Sequence, residues 1–260
     1  MLSYQHLYHA GNPADVHKHA FLCYMLDYII QKDKPLSYIE THAGRGFYQL
    51  DTEESLKTGE AAQGIVKLEQ YFTPDHPYVQ RLSETRAGHG PNAYPGSPLL
   101  AALTLREMDS IHLAELHPAE HRILHETLTP WGAFVHKQDG LQLALAICPP
   151  TPRRGLMLID PSYEVKEDYV NIPKVIAAIR RKWNVGIIAL WYPILGSNSH
   201  NGMLEALHSD HPDALTHEVR FPPVRDGHRM VGSGMFILNP PYGLEAEAER
   251  LSRIFGMLNE

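Results

Sequence analysis

Short β-branched and apolar runs alternate along most of the chain with stretches of helical spacing, the pattern of a mostly parallel sheet covered on both faces. The runs predict seven strands: Leu36 to Thr41, Ser110 to Leu116, Ala133 to Gln138, Gly155 to Asp160, Val185 to Trp191, Leu215 to Phe221 and Gly234 to Asn239. Helical spacing predicts helices over Ala14 to Gln31, Pro118 to Thr127, Gly140 to Ala146, Tyr169 to Arg181 and Leu204 to His208. The last two strands are joined by VRFPPVRDGHRMVGSG, which has no helical pattern and suits an antiparallel hairpin with a long loop. Between Asp51 and Pro95 the pattern is helical but irregular, far longer than an ordinary connection between strands. The expectation is therefore an α/β fold, one domain over residues 1–260 with a helical subdomain inserted at about 51–95.

The candidate chemistry sits where the strands end. The first strand runs into IETHAGRGFYQL, where Ala43, Gly44 and Gly46 permit a tight turn close to a ligand. This turn resembles the cofactor loop of Rossmann-like methyltransferases, with His42 and Ala43 standing where those loops carry their first glycine. The second strand ends in AELHP, so Glu115 lies at the carboxyl edge of the sheet, either as a solvated acid or as an acceptor for two ribose hydroxyls. Asp139 and Gly140 of QDG either cap the next helix or hold the amino group of a nucleoside cofactor.

The fourth strand ends in LIDPSYE. Amino-group methyltransferases place an acid or amide, two prolines and an aromatic residue at this point. An adenine N6 is a poor nucleophile because its lone pair is delocalised into the ring. Hydrogen bonds from its two N–H groups to a carboxylate and a backbone carbonyl, here Asp160 and Pro161, favour a pyramidal nitrogen that can attack a methyl group. Tyr163 is expected to stack on the base, returning roughly 1–3 kcal/mol against the few kcal/mol that extracting it costs. Ser162 occupies the second proline position. A rival segment, NPPY at Asn239 to Tyr242, fits the four-residue pattern better but follows the last strand, away from where the cofactor and target pockets should adjoin.

Composition narrows the partners. With 260 residues, 43% of them hydrophobic, the chain can bury a full core. No apolar run approaches the roughly 20 residues of a membrane helix, and the start MLSYQHLYHAGN lacks the basic-then-apolar order of a signal peptide, so a cytoplasmic protein without membrane contact is expected. The net charge of −7 argues against a general nucleic-acid binder. Local basic clusters at Lys18, Arg45, Arg153 and Arg154, Arg180 to Lys182, and Arg225 to Arg229 still allow a basic face. Cys23 and Cys148 read as ordinary buried thiols. Among 17 histidines, His6, His9, His17, His19 and His42 invite a metal reading, but no HExxH or paired-cysteine pattern supports one, and no metal is expected.

Taken together, LSYQHLYHAGNPADVHKH, ETHAGRGFYQL, YPGSP, AELHP, QDG, RRGLMLIDPSYE, ALWYP and SGMFILNPP resemble, over nearly the full length, the bacterial RlmJ-type adenine-N6 methyltransferases of 23S ribosomal RNA. The resemblance implies a Rossmann-like class I methyltransferase with S-adenosylmethionine as cofactor, 23S ribosomal RNA as partner, and action as a monomer. It implies cofactor contacts from His19, His42, Ser97, Glu115, Asp139, Gly140 and Asp160, with Asp160 also catalytic. It further implies that Tyr4, His6 and Lys18 lie over the active site and place the target adenine. Two competitors differ in class. A nicotinamide-dependent oxidoreductase would want GxGxxG where the chain has THAGRG. A non-catalytic RNA-binding or ribosome-assembly protein would bind the cofactor without turnover, with Ser162 as the trace of lost activity.

Overall fold

The computed structural model describes residues 6–223 and 229–258. Helix α1 (Pro13–Ile30) leads into β1 (Ser37–Glu40) and the short strand β2 (Phe47–Gln49). Helices α2 (Glu53–Thr58), α3 (Glu60–Gln63), α4 (Ile65–Leu68) and α5 (Pro77–His89) follow, then β3 (Ala93–Pro95) and α6 (Ser97–Thr104). An alternating run comes next: β4 (Ser110–Ala114), α7 (Pro118–Leu128), β5 (Phe134–His136), α8 (Gly140–Ile147), β6 (Gly155–Ile159), α9 (Asp168–Lys182) and β7 (Ile187–Leu195). The chain closes with α10 (Asn201–Asp210), β8 (Leu215–Arg220), β9 (Met230–Leu238) and α11 (Leu244–Gly256).

The seven expected strands form one sheet in the order β5-β4-β1-β6-β7-β9-β8. The pairs from β5 to β7 are parallel, and β9 runs antiparallel to both β7 and β8. The sheet is mixed but mostly parallel, an α/β Rossmann-like fold. Alternation along each strand splits the core in two. Tyr38, Leu156, Leu158, Ala189 and Ile237 face the cluster built with α1 and α11. Ile39, Met157, Ile159, Ile188 and Phe236 face the cluster that includes Ile176 and Ile179 of α9 and Leu207 of α10.

Helix α1 carries the site and is enclosed on nearly all sides, with only Tyr24, Asp27, Tyr28 and Ile30 not buried. Its start is fixed locally: Pro13 sits in the first turn, where its missing N–H costs nothing, and the Asn12 side chain accepts the Asp15 N–H at 2.8 Å. Helix α3 holds that start from outside, since the buried Glu60 accepts from Asn12 Nδ2 at 3.2 Å and pairs with His9 Nδ1 at 2.9 Å.

Three features go beyond the sequence expectations. β2 and β3 pair antiparallel as a separate two-stranded ribbon, so α2 to α5 leave and return through one narrow neck. Three-residue strands such as FYQ and AYP are too short to show a period of two. Helix α6 opens within YPGSP, where prolines mask the helical start. Helix α11 follows NPPY and packs Leu244, Ala248, Leu251 and Phe255 into the core. Among the described residues, no helix is long and apolar enough to cross a membrane. Cys23 and Cys148 are buried free thiols, as expected.

Candidate active site

The carboxyl ends of β1, β4, β6 and β7 open into one cleft of about 470 Å³, a size typical of small-molecule sites. His6, Lys18, His19, His42, Ser97 and Glu115 all line it. So do Asp139, Gly140, Asp160, Pro161 and Tyr163. The topology thus brings together every sequence-predicted site residue except Tyr4, which lies outside the described residues.

One half of the cleft is built on α1. Asp15, Lys18 and His19 fall at positions i, i+3 and i+4 and share a helix face. Asp15 accepts the Gly11 N–H at 2.9 Å and meets His6 Nε2 at 2.8 Å and Lys18 Nζ at 3.1 Å. Burial pushes the Asp15 carboxyl up, but His6, Lys18 and His19 outweigh it and hold the group well below the usual carboxylate range. Lys18 Nζ reaches on to Asp160 at 2.5 Å, with side-chain exposures of 5% and 13%. Burial alone would lower the Lys18 pKa, but Asp160 and Asp15 raise it, so the ammonium stays charged. His19 is pushed down to about 3 by burial and remains a neutral imidazole, with Nδ1 2.9 Å from the Tyr94 hydroxyl.

The other half is built on strand ends. Glu115 accepts two backbone N–H groups, from Gly44 at 2.8 Å and from His117 at 2.7 Å. Gly44 takes φ +61°, which a side chain would strain, so the glycine of THAGRG has a backbone reason here. Asp139 Oδ1 caps α8 through the Gln142 N–H at 2.8 Å. Gly140 packs against the end of β1 so closely that a Cβ would stand 1.7 Å from the Thr41 carbonyl oxygen. Ser97 donates to Glu40 Oε1 at 2.5 Å, and Tyr38 donates to Oε2 at 2.8 Å. Burial carries the Glu40 carboxyl up to about 8 against those two hydrogen bonds.

In DPSY, Pro161 is buried and Ser162 is exposed. Tyr163 takes φ +54° and is only 8% exposed. Its hydroxyl donates to the Trp191 carbonyl at 2.8 Å, and its ring lies 4.6 Å from that of Tyr169. At the rim, Arg45, one of the basic positions that allow a basic face, is paired bidentately with Glu120, at 2.8 and 2.6 Å. His17 points away from His19, toward Ser233 and His217, and no group of three or more His, Cys, Asp or Glu side chains among the described residues is placed to hold a metal. Sequence reasoning missed Asp15, Glu40 and Trp191. The spacing of Asp15 from Lys18 and His19 was the available signal for the first; the other two sit inside quoted motifs, IETHAGRG and ALWYP, without a chemical role.

Comparison with known proteins adds a family. Residues 33–256 match the family described as ribosomal RNA large subunit methyltransferase D, RlmJ. The chain is 41% identical over 254 residues to ribosomal RNA large subunit methyltransferase J of Escherichia coli K12, covering 95% of this chain and 90% of that protein. The protein of the same name from Haemophilus influenzae is 38% identical over 257 residues, covering 96% and 92%. The crystal structure of protein LPL1258 from Legionella pneumophila matches with a TM-score of 0.86 at 34% identity, over 96% of this chain and 94% of that one.

Proposed function

The chain belongs to the RlmJ family of ribosomal RNA large subunit methyltransferases, and from that premise we propose that it methylates N6 of an adenine in 23S ribosomal RNA with S-adenosylmethionine. The observation that carries this reading is the placement of Asp160 and Pro161 at the carboxyl edge, in one cleft with Glu115, Asp139 and Gly140.

The residues fit that cofactor. Glu115 has each oxygen pinned by one backbone N–H, which leaves a lone pair on each for a ribose hydroxyl. Asp139 can accept an adenine amino group through its second oxygen, and Gly140, with no side chain, lets α8 start hard against the end of β1, where Asp139 lines the cleft. His19 of α1, His42 and Ser97 line the same cleft. S-adenosylmethionine, when bound, supplies the electrophilic methyl group. Asp160 and the Pro161 carbonyl accept the two N–H groups of the target amine and hold its lone pair toward that methyl. Lys18, charged and bonded to Asp160 Oδ2, holds the carboxylate in place at the cleft, and His6 braces Asp15 behind it. Methylation leaves the nitrogen cationic, and its proton passes to Asp160 or to water.

The insertion belongs to the same domain in this reading, because its Ile65, Leu68, Tyr78 and Leu82 share one hydrophobic cluster with sheet residues. We further propose that the protein acts as a monomer in the cytoplasm and that Tyr4, which lies outside the described residues, helps to place the target adenine. The test is transfer of radiolabelled methyl from S-adenosylmethionine to 23S rRNA from cells lacking this protein, followed by nucleoside analysis. Label in N6-methyladenosine is expected. Cofactor binding with no transfer would favour the non-catalytic reading instead.

A further inference from the structure

His19 lines the cleft, and what holds its ring comes from the inserted segment. Its Nδ1 lies 2.9 Å from the Tyr94 hydroxyl, which in turn lies 2.9 Å from the hydroxyl of Tyr78. Tyr94 belongs to β3, where it stands opposite Tyr48 in the neck of the insertion, and Tyr78 belongs to the first turn of α5. Both tyrosine rings pack against the imidazole, at 5.8 and 6.1 Å between centres. His19 is 1% exposed and both tyrosines are fully buried, so each polar hydrogen in the row needs a partner inside the protein.

Burial pushes the His19 pKa down to about 3, so the imidazole carries one proton, on Nδ1 or on Nε2. The row of hydroxyls decides between them. With the proton on Nδ1, His19 would donate to Tyr94 and Tyr94 to Tyr78. Among the described residues the Tyr78 hydroxyl meets only Tyr94, so its own proton would then be orphaned. The bare Nε2 lone pair would also face Asp15, an ionised carboxylate whose Oδ1 stands 3.8 Å away. In the reverse direction Tyr78 donates to Tyr94, Tyr94 donates to Nδ1, and the imidazole proton sits on Nε2. Every hydroxyl proton then has an acceptor, and Nε2–H turns its positive end toward the carboxylate. At 3.8 Å Asp15 lies beyond hydrogen-bond reach and does not use up that N–H.

We propose that Tyr94, backed by Tyr78, is a positioning residue that fixes His19 as its Nε2–H tautomer, so that His19 meets the cofactor as a hydrogen-bond donor. This rests on the reading of the cleft as an S-adenosylmethionine site. With Glu115 and Asp139 at the adenosine, the half of the cleft built on α1 is left to the amino-acid end, whose carboxylate oxygens only accept. The insertion thus acts on the cofactor from inside the protein: a ring whose other nitrogen is already bonded has less freedom to lose on binding.

The experiment joins NMR of isotope-labelled histidine in the cofactor-free protein to calorimetry of ligand binding, with the His19 signals identified by their loss in His19→Gln. In the wild type Nε2 is expected to be protonated and Nδ1 not. Tyr94→Phe should shift the Nδ1 signal and weaken S-adenosylmethionine binding by about three- to tenfold, the scale of one net hydrogen bond. Methylthioadenosine, which lacks the amino-acid end, should bind this variant within about twofold of wild type, which a general loosening of the cleft would not allow. Tyr78→Phe leaves the Tyr94 donation in place and should cost about twofold or less for either ligand. Tyr94→Phe should add nothing in a His19→Ala background. A wild-type His19 protonated on Nδ1 overturns the assignment, and that signal carries the test should Tyr94→Phe fail to fold. Unchanged S-adenosylmethionine affinity in folded Tyr94→Phe, or equal weakening of both ligands, overturns it as well. A wild type that binds neither ligand overturns the cofactor reading itself, and the assignment with it.

Discussion

The chain carries the amino-methyltransferase spelling twice, as DPSY at Asp160 to Tyr163 and as NPPY at Asn239 to Tyr242, and the two copies lie at opposite edges of one sheet. β6 runs parallel to its neighbours, so Asp160 emerges at the carboxyl edge, beside the cleft. β9 runs against them, with Leu238 beside Ile188, so Asn239 emerges at the start of β7. There its amide donates to the carbonyls of Asn184 and Gly186 at 3.1 and 2.7 Å, and Tyr242 is 88% exposed. The charges differ in kind too. At the amino edge Arg153, Arg154 and Lys182 donate to the carbonyls of Lys182, Lys34 and Leu145, which finishes helix and strand ends. At the carboxyl edge Asp15, Lys18 and Asp160 form a chain of ion pairs that lines the cleft. Strand direction, more than spelling, gives a four-residue segment its chemistry.

The sharpest way to break the comparison is Asp160→Ala. Methyl transfer is expected to fall by about 10²–10³-fold or more, the scale of removing one preorganised polar group from a transition state. Lys18 keeps Asp15 at 3.1 Å, so the fold should survive with a loss of about 1–3 kcal/mol, less than the ~3–5 of a fully orphaned buried charge. Single-turnover transfer and thermal unfolding on one preparation check both. Near-normal activity sinks the assignment of the carboxyl edge.

A second difference is the pH response, because the carboxyl that burial carries up to about 8 lies at the cleft edge. The folded-state pKa of Glu40 is raised from its ordinary value of 4.5 to about 8 by burial. The folded state then holds a proton that the unfolded chain gives up, so the stability Glu40 contributes is fully present below about pH 4.5 and is lost as pH rises toward 8. Buried histidines such as His17 and His19, whose values are lowered, act with the opposite sign below 6.5. Between pH 6.5 and 8 the Glu40 contribution therefore stands alone among these groups, with a limiting slope of about 1.4 kcal/mol per pH unit. Thermal melts should show stability falling across this window in the wild type and a flatter profile in Glu40→Gln. Parallel profiles would place an ionised Glu40 in the folded protein throughout.

What the sequence made legible follows the same division. Strand positions and the order in which motifs fall were readable because periods of two and 3.6 survive over five or more residues, and ligand sites of open α/β sheets lie at carboxyl ends. That reasoning placed Glu115, Asp139 and Asp160 in one cleft and set NPPY aside. The ribbon of β2 and β3 was not readable, since three residues show no period. Nor were the partners of α1: Lys18 bonds a residue 142 positions away, and His17 and His217 are 200 apart. Such pairings are properties of the packed sheet and leave no local trace.

Asn239→Ala tests the amino edge directly. Two hydrogen bonds are lost and a left-handed φ of +52° is left to a residue that tolerates it poorly, so stability should drop by about 1–3 kcal/mol. Activity per folded molecule should stay within about twofold. A larger loss of kcat at a temperature where the variant is fully folded would mean that the amino edge reaches the chemistry.

The smallest expected effect comes from restoring the second proline, and it bears on whether Ser162 weakens the site. Ser162 is exposed, between buried Pro161 and a Tyr163 already held at positive φ by its hydroxyl bond to the Trp191 carbonyl. The loop is thus fixed on both sides of the serine, and what a proline there adds is mainly a restriction of the unfolded chain, worth roughly 0.4–1 kcal/mol where the backbone accepts it. Ser162→Pro should raise the melting temperature slightly and leave kcat within about threefold. A gain of tenfold or more in kcat would show that DPSY is a loosened site and that the rigidity of the segment, beyond the placement of Asp160 and Pro161, limits the rate.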